Sequence, residues 1–86
     1  MSINDVYQPI NCDDYDNLEL ACQRHLFITL ELKDTEVFKA KAQDLVSRKN
    51  IEYLVVESSE TTREIRLDRI HSFSHPDIGT IFVSEE

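Results

Sequence analysis

From Leu26 to Leu32 the chain alternates, with Leu26, Ile28, Leu30 and Leu32 apolar and Phe27, Thr29 and Glu31 between them. A period of two predicts a strand with one face buried. Before it the period is that of a helix. Leu18, Ala21 and Cys22 fall at i, i+3 and i+4 and give a narrow apolar stripe. The helix is expected to start near Asn11, Asp13 or Asp14, each able to cap it, and to end near Arg24. Residues 1–10, with Pro9 and no periodicity, read as a flexible arm.

After a turn-like break at Lys33-Asp34-Thr35-Glu36, Phe38, Ala40 and Ala42 alternate with Lys39, Lys41 and Gln43. Small inward residues suit a tightly bent sheet. Ser47-Arg48-Lys49-Asn50 reads as a polar tip, and Ile51–Glu57 as a strand rich in β-branched residues. Ile65 and Leu67 alternate with Glu64, Arg66 and Asp68. A loop is expected over Ser72–Asp77, containing Pro76, and a closing strand over Thr80–Ser84. One helix followed by five short antiparallel strands predicts a mainly β fold, a small bent sheet or barrel.

Eighty-six residues make one domain. No apolar run reaches bilayer length and the N-terminus lacks a signal-peptide pattern, so a cytoplasmic protein without a membrane partner is expected. Cys12 and Cys22, ten positions apart on one helix, would lie about 15 Å apart, too far to bridge.

Charge changes the picture most. Residues 1–23 hold five carboxylates, Asp5, Asp13, Asp14, Asp16 and Glu19, and no Lys or Arg, in a chain of net charge −8. Asp13 and Asp14 fit a helix start, where carboxylates meet the helix dipole. Asp16 and Glu19 continue the acidic surface past that cap with no Lys at i+4. Such an element suits a basic partner surface better than it suits nucleic acid. Arg48 and Lys49 at a hairpin tip, if folded beside the helix, would make a patch of mixed charge that favours orientation and discrimination.

Catalytic motifs are missing. A single glycine excludes a Gly-rich phosphate loop. No Cys or His pair has zinc spacing, and Ser72, Ser74 and Pro76 argue against a helix that would join His71 to His75. His25 reads as a solvated residue on the polar side of a strand. No cofactor, no metal and no enzymatic activity are expected. A small enzyme using the paired carboxylates would need a deep pocket that so small a sheet scarcely encloses.

Four segments narrow the reading: YQPINCDDYDNLELAC (Tyr7–Cys22), DLVSRKN (Asp44–Asn50), EYLVVE (Glu52–Glu57) and SFSHPDIGT (Ser72–Thr80). They closely resemble the Rho-binding antiterminator family (Rof/YaeO), over essentially the whole chain. The resemblance implies an Sm-like fold, an N-terminal helix followed by a strongly bent antiparallel sheet. It also implies a partner, the transcription terminator Rho, whose primary RNA-binding site such proteins occupy, inhibiting Rho-dependent termination. Carried onto matching positions, the contact surface includes Tyr15, Asp16 and Glu19 on the helix and Arg48, Lys49 and Asn50 in the loop, with Asp13, Asp14 and Asn17 as neighbours. Tyr15 is the expected aromatic anchor. The sequence departs from the family at Lys33-Asp34-Thr35, where relatives often have Asp-Gly, and around Phe38. The alternative, an RNA-binding Sm-like protein, is opposed by the net charge of −8. No direct nucleic-acid binding is expected, and the free protein is expected to be a monomer.

Overall fold

The computed structural model describes residues 6–85. Asn11 caps helix α1 (Cys12–Gln23): its side chain accepts a hydrogen bond from the Asp13 backbone N–H at 2.8 Å. Asp13 and Asp14 then occupy the first turn, where the unpaired amides favour negative charge. The helix ends in a Schellman motif. The His25 N–H bonds to the Cys22 carbonyl and the Leu26 N–H to the Ala21 carbonyl. His25 takes the left-handed position of that motif, at φ 51°. It is therefore a helix cap and not the expected strand residue, and its Nδ1 lies 3.3 Å from the Ala42 carbonyl oxygen.

Six strands follow, in the spatial order β4-β3-β2-β1-β5-β6, all pairings antiparallel. They are β1 (Phe27–Leu32), β2 (Val37–Arg48), β3 (Ile51–Ser58), β4 (Thr61–Arg66), β5 (Ile70–His75) and β6 (Gly79–Phe82), with a 3₁₀ turn at Leu67–Arg69. The sheet is open, with β4 and β6 at its edges. The long β2 serves two partners: Val37–Lys41 pair with β1, and Lys41–Arg48 pair with β3. The register slips between Ala42 and Asp44, a bulge that bends the strand. Ala40 and Ala42 are buried at the bend, where larger side chains would keep the sheet from folding over.

The β1 alternation is observed: Ile28, Leu30 and Leu32 are buried, Phe27 is exposed, and Leu26 is half-buried just before the strand. They join Leu18 and Ala21 of α1, Leu54 and Val56 of β3, and Ile70 and Phe73 of β5 in one core cluster. The fifth strand occupies most of the loop expected over Ser72–Asp77. Phe73, fully buried opposite Leu30, anchors it. The serines, histidines and Pro76 around Phe73 conceal the apolar signal. What remains of the loop is a short turn that Gly79 closes at φ 75°.

Residues 1–5 of the expected arm lie outside the described residues. The rest is not a loose arm. Ile10 is buried and pairs with Glu85, the Gln8 N–H donates to Asp68 at 3.0 Å, and the Tyr7 hydroxyl donates to Glu52 at 3.1 Å. Pro9 breaks the periodicity without breaking the packing.

Candidate partner-binding surface

Helix α1 lies against β2 with Leu18, Ala21 and Cys22 inward, which turns Asp16 and Glu19 to solvent and leaves Tyr15 half-buried between them. Two depressions flank Tyr15. One is lined by Pro9, Ile10, Cys12, Tyr15, Asp16 and Glu52. The other brings Tyr15, Glu19, Cys22 and His25 together with Gln43, Asp44 and Leu45. Among the described residues, neither is lined by a Lys or Arg. The acidic surface is thus wider than the helix: Glu52 of β3 and Asp44 of β2 extend it on either side. Sequence reading missed both, because strand pairing alone brings them to the helix. The only available signal was that Glu52 follows the tip residues Lys49 and Asn50.

Burial raises the hydroxyl pKa of Tyr15, and the carboxylates of Glu52 and Glu19 raise it further. The phenol therefore remains a hydrogen-bond donor throughout the physiological range. Tyr7 behaves alike: burial and its hydrogen bond to Glu52 push its hydroxyl well above the ordinary value. The arm in turn is fixed by Asp68, which also accepts two hydrogen bonds from Arg66 at 3.0 and 2.7 Å.

The expected residues do not all gather. Lys49 and Asn50 form a two-residue connection, both exposed and both at positive φ (53° and 67°), the geometry of a primed hairpin turn. Glu52, two positions beyond Asn50, links this tip to Tyr15 and Asp16. Arg48 faces elsewhere. It pairs with Ile51, on the sheet face opposite Leu54, where its guanidinium lies 4.7 Å from the Tyr53 ring centroid and forms an ion pair with Glu64. The mixed patch anticipated from Arg48 beside the helix is absent in this arrangement, because Glu64 on β4 is the nearer acid.

Asp14 also departs from expectation. It is buried, and its carboxylate accepts from the Ser84 N–H at 2.9 Å, so it ties the helix to the C-terminal segment instead of facing a partner. Asp13 is exposed, and its carbonyl accepts from the Asn17 side-chain amide at 3.0 Å. His71 and His75 are both on β5 and serve locally: His71 packs edge-on against Phe82, and His75 Nδ1 accepts from the Asp77 N–H. Among the described residues, no three His, Cys, Asp or Glu side chains are placed to hold a metal ion. Among those residues, too, no helix is long and apolar enough to cross a membrane.

A capped acidic helix on a strongly bent six-stranded sheet, with carboxylates around a half-buried tyrosine, defines a small regulatory binding domain of the YaeO type. A solved structure titled "YaeO bound to Magnesium from Vibrio cholerae O395" superposes with a TM-score of 0.71 at 29% identity, over 79% of this chain and 95% of that one. Residues 9–83 match the family described as "Modulator of Rho-dependent transcription termination (ROF)". Two relatives named "Protein rof", from Escherichia coli K12 and Shigella flexneri, are each 75% identical over 83 residues, 96% of this chain and 99% of theirs. The chain belongs to the ROF family, and its function is modulation of Rho-dependent transcription termination.

Proposed function

We propose that the protein inhibits termination by laying the Tyr15 surface of α1 and the β2–β3 hairpin tip over the primary RNA-binding region of Rho. The observation that carries this reading is that, among the described residues, both depressions around Tyr15 are lined by carboxylates and by no Lys or Arg. A surface that normally receives RNA phosphates is basic, and carboxylates compete for the same cations. Tyr15 fills the centre as the aromatic anchor. Asp16, Glu19 and Glu52 pair with partner bases, Lys49 meets acids or carbonyls at the rim, and Asn50 hydrogen-bonds backbone there. The protein acts by occupancy, in the cytoplasm, as a monomer when free, and it catalyses nothing. An RNA-binding role is disfavoured because the carboxylates around Tyr15 repel phosphate.

The test is competition. Labelled protein is bound to Rho hexamers and titrated with a pyrimidine-rich single-stranded oligonucleotide that saturates the primary site. Displacement of the protein, and weaker binding as salt rises, are expected. Unchanged binding at saturating oligonucleotide would show that the two occupy different places.

A further inference from the structure

The arm that precedes α1 reaches the Tyr15 surface. Pro9 and Ile10 form part of the wall of the depression that also holds Cys12, Tyr15, Asp16 and Glu52. Tyr7, two positions earlier, donates its hydroxyl proton to Glu52 Oε1 at 3.1 Å, across forty-five positions of sequence. Among the described residues, no other hydrogen bond or ion pair reaches the Glu52 side chain. Oε2 is therefore left for an incoming donor. Burial keeps the Tyr7 hydroxyl protonated, so it remains a donor to the carboxylate.

Tyr7 is itself fixed at two points. Its backbone is tied at the next residue, where the Gln8 N–H donates to Asp68 Oδ2 at 3.0 Å. Its ring faces the Arg66 guanidinium, whose Cζ lies 5.8 Å from the centroid. Arg66 is held in turn by two hydrogen bonds to the same Asp68 carboxylate, at 3.0 and 2.7 Å. The Arg66 and Asp68 side chains are only 16% and 7% exposed, so water loosens this clamp far less than it loosens a surface ion pair. A glutamate on a strand, held by nothing, has three side-chain torsions whose freedom is lost only when a partner docks. For Glu52 part of that loss falls on folding instead.

We propose that Tyr7 is a positioning residue for Rho recognition: its hydroxyl holds the Glu52 carboxylate beside Tyr15 and Asp16, with Oε2 presented to a base of the partner. The inference rests on the reading that the Tyr15 surface meets Rho. Tyr7 acts through Glu52, and the Asp68–Arg66 clamp acts through Tyr7. A contact that merely fastened the arm would not need Glu52, because the Gln8–Asp68 hydrogen bond and the buried Ile10 already fasten it.

The experiment titrates Rho hexamers calorimetrically with the full-length parent, Tyr7→Phe, Glu52→Ala, the double variant and Asp16→Lys. Tyr7→Phe keeps the ring beside Arg66 and removes only the hydroxyl. Its affinity should fall about three- to tenfold, the range expected when one long side chain is ordered at docking and not beforehand. Glu52→Ala should lose about tenfold or more, and adding Tyr7→Phe to it should change nothing further. A Tyr7→Phe loss that persists alongside Glu52→Ala means that Tyr7 meets Rho directly, and it overturns positioning. So does parent-like affinity of Tyr7→Phe, or of Glu52→Ala, in a series where Asp16→Lys binds weakly. Parent-like affinity of Asp16→Lys and Glu52→Ala together removes the whole Tyr15 surface from the interface, and the underlying reading falls with the proposal. In the free protein, the three-bond couplings of the Glu52 side chain should report one rotamer in the parent and an average in Tyr7→Phe. An averaged parent, or a variant that keeps the single rotamer, overturns the proposal. If Tyr7→Phe fails to fold, the parent couplings and the Glu52→Ala titration decide alone.

Discussion

The carboxylate of Asp14 and the backbone N–H of Ser84 meet at 2.9 Å across seventy positions of sequence. Two residues later in the helix, Asp16 is exposed beside Tyr15. Two acids of one short run thus have different surroundings, one buried and bonded and the other exposed.

Asp14→Ala removes the charged acceptor for the Ser84 N–H and with it the tie between the helix and the C-terminal segment. The expected loss is about 1–3 kcal/mol of stability, read as a lower urea midpoint at unchanged slope. Asp16→Asn, by contrast, should leave the midpoint within about 0.5 kcal/mol of the parent.

Charge reversal at Asp16, Glu19 or Lys49 to Lys, Lys and Glu respectively is expected to weaken Rho binding strongly while melting curves stay near the parent's. Breaking one desolvated charge pair costs on the order of 2–5 kcal/mol, and reversal adds repulsion. Lys39→Glu, on an exposed strand position outside the patch, serves as the control. Titration calorimetry with Rho checks all four; parent-like affinity in the three site variants would move the interface off this surface.

Acid should loosen the arm. Burial alone would raise the Asp68 carboxyl, but the hydrogen bonds from Arg66 and from the Gln8 N–H outweigh it and hold the group below its ordinary value. A folded-state value depressed below the unfolded one adds stability above the unfolded value, near pH 4, and that stability disappears as pH falls through the folded value. Urea midpoints measured from pH 7 down to about 2 should fall. The Asp68→Asn variant should start lower and lose less over the same range.

The two thiols should react unequally. Burial, together with the charges of Asp44 and Glu19, pushes the Cys22 thiol up to about 12, whereas Cys12 is exposed. Iodoacetamide at pH 8 followed by peptide mass spectrometry should find Cys12 alkylated in the native protein and Cys22 only after denaturation.

The parts of the fold carried by strict periodicity were legible in the sequence: α1, the alternation over β1, and the small residues Ala40 and Ala42 at the bend. Elements whose reasons are non-local were not. Phe73 identifies β5 only once its place opposite Leu30 is known. His25 looks like a strand residue until the helix ends on it in a left-handed turn. The same limit applies to the site. Tyr15, Asp16 and Glu19 sit on one helix surface whose exposure the apolar stripe already dictates. Glu52 and Asp44 arrive through strand pairing, and Arg48 points to the other face of the sheet, where it pairs with Glu64 two strands away.

The pairing of Ile10 with Glu85, and of the Asn11 N–H with the Ser84 carbonyl, has a practical consequence. Residues seventy-five positions apart thereby meet at the start of α1, next to Cys12 and the acidic surface. A bulky group carried at Glu85 would therefore crowd a partner approaching Tyr15. One carried at the exposed Ser59–Glu60 hairpin tip would sit at the opposite end of β3 and leave the helix face unencumbered for attachment-based assays.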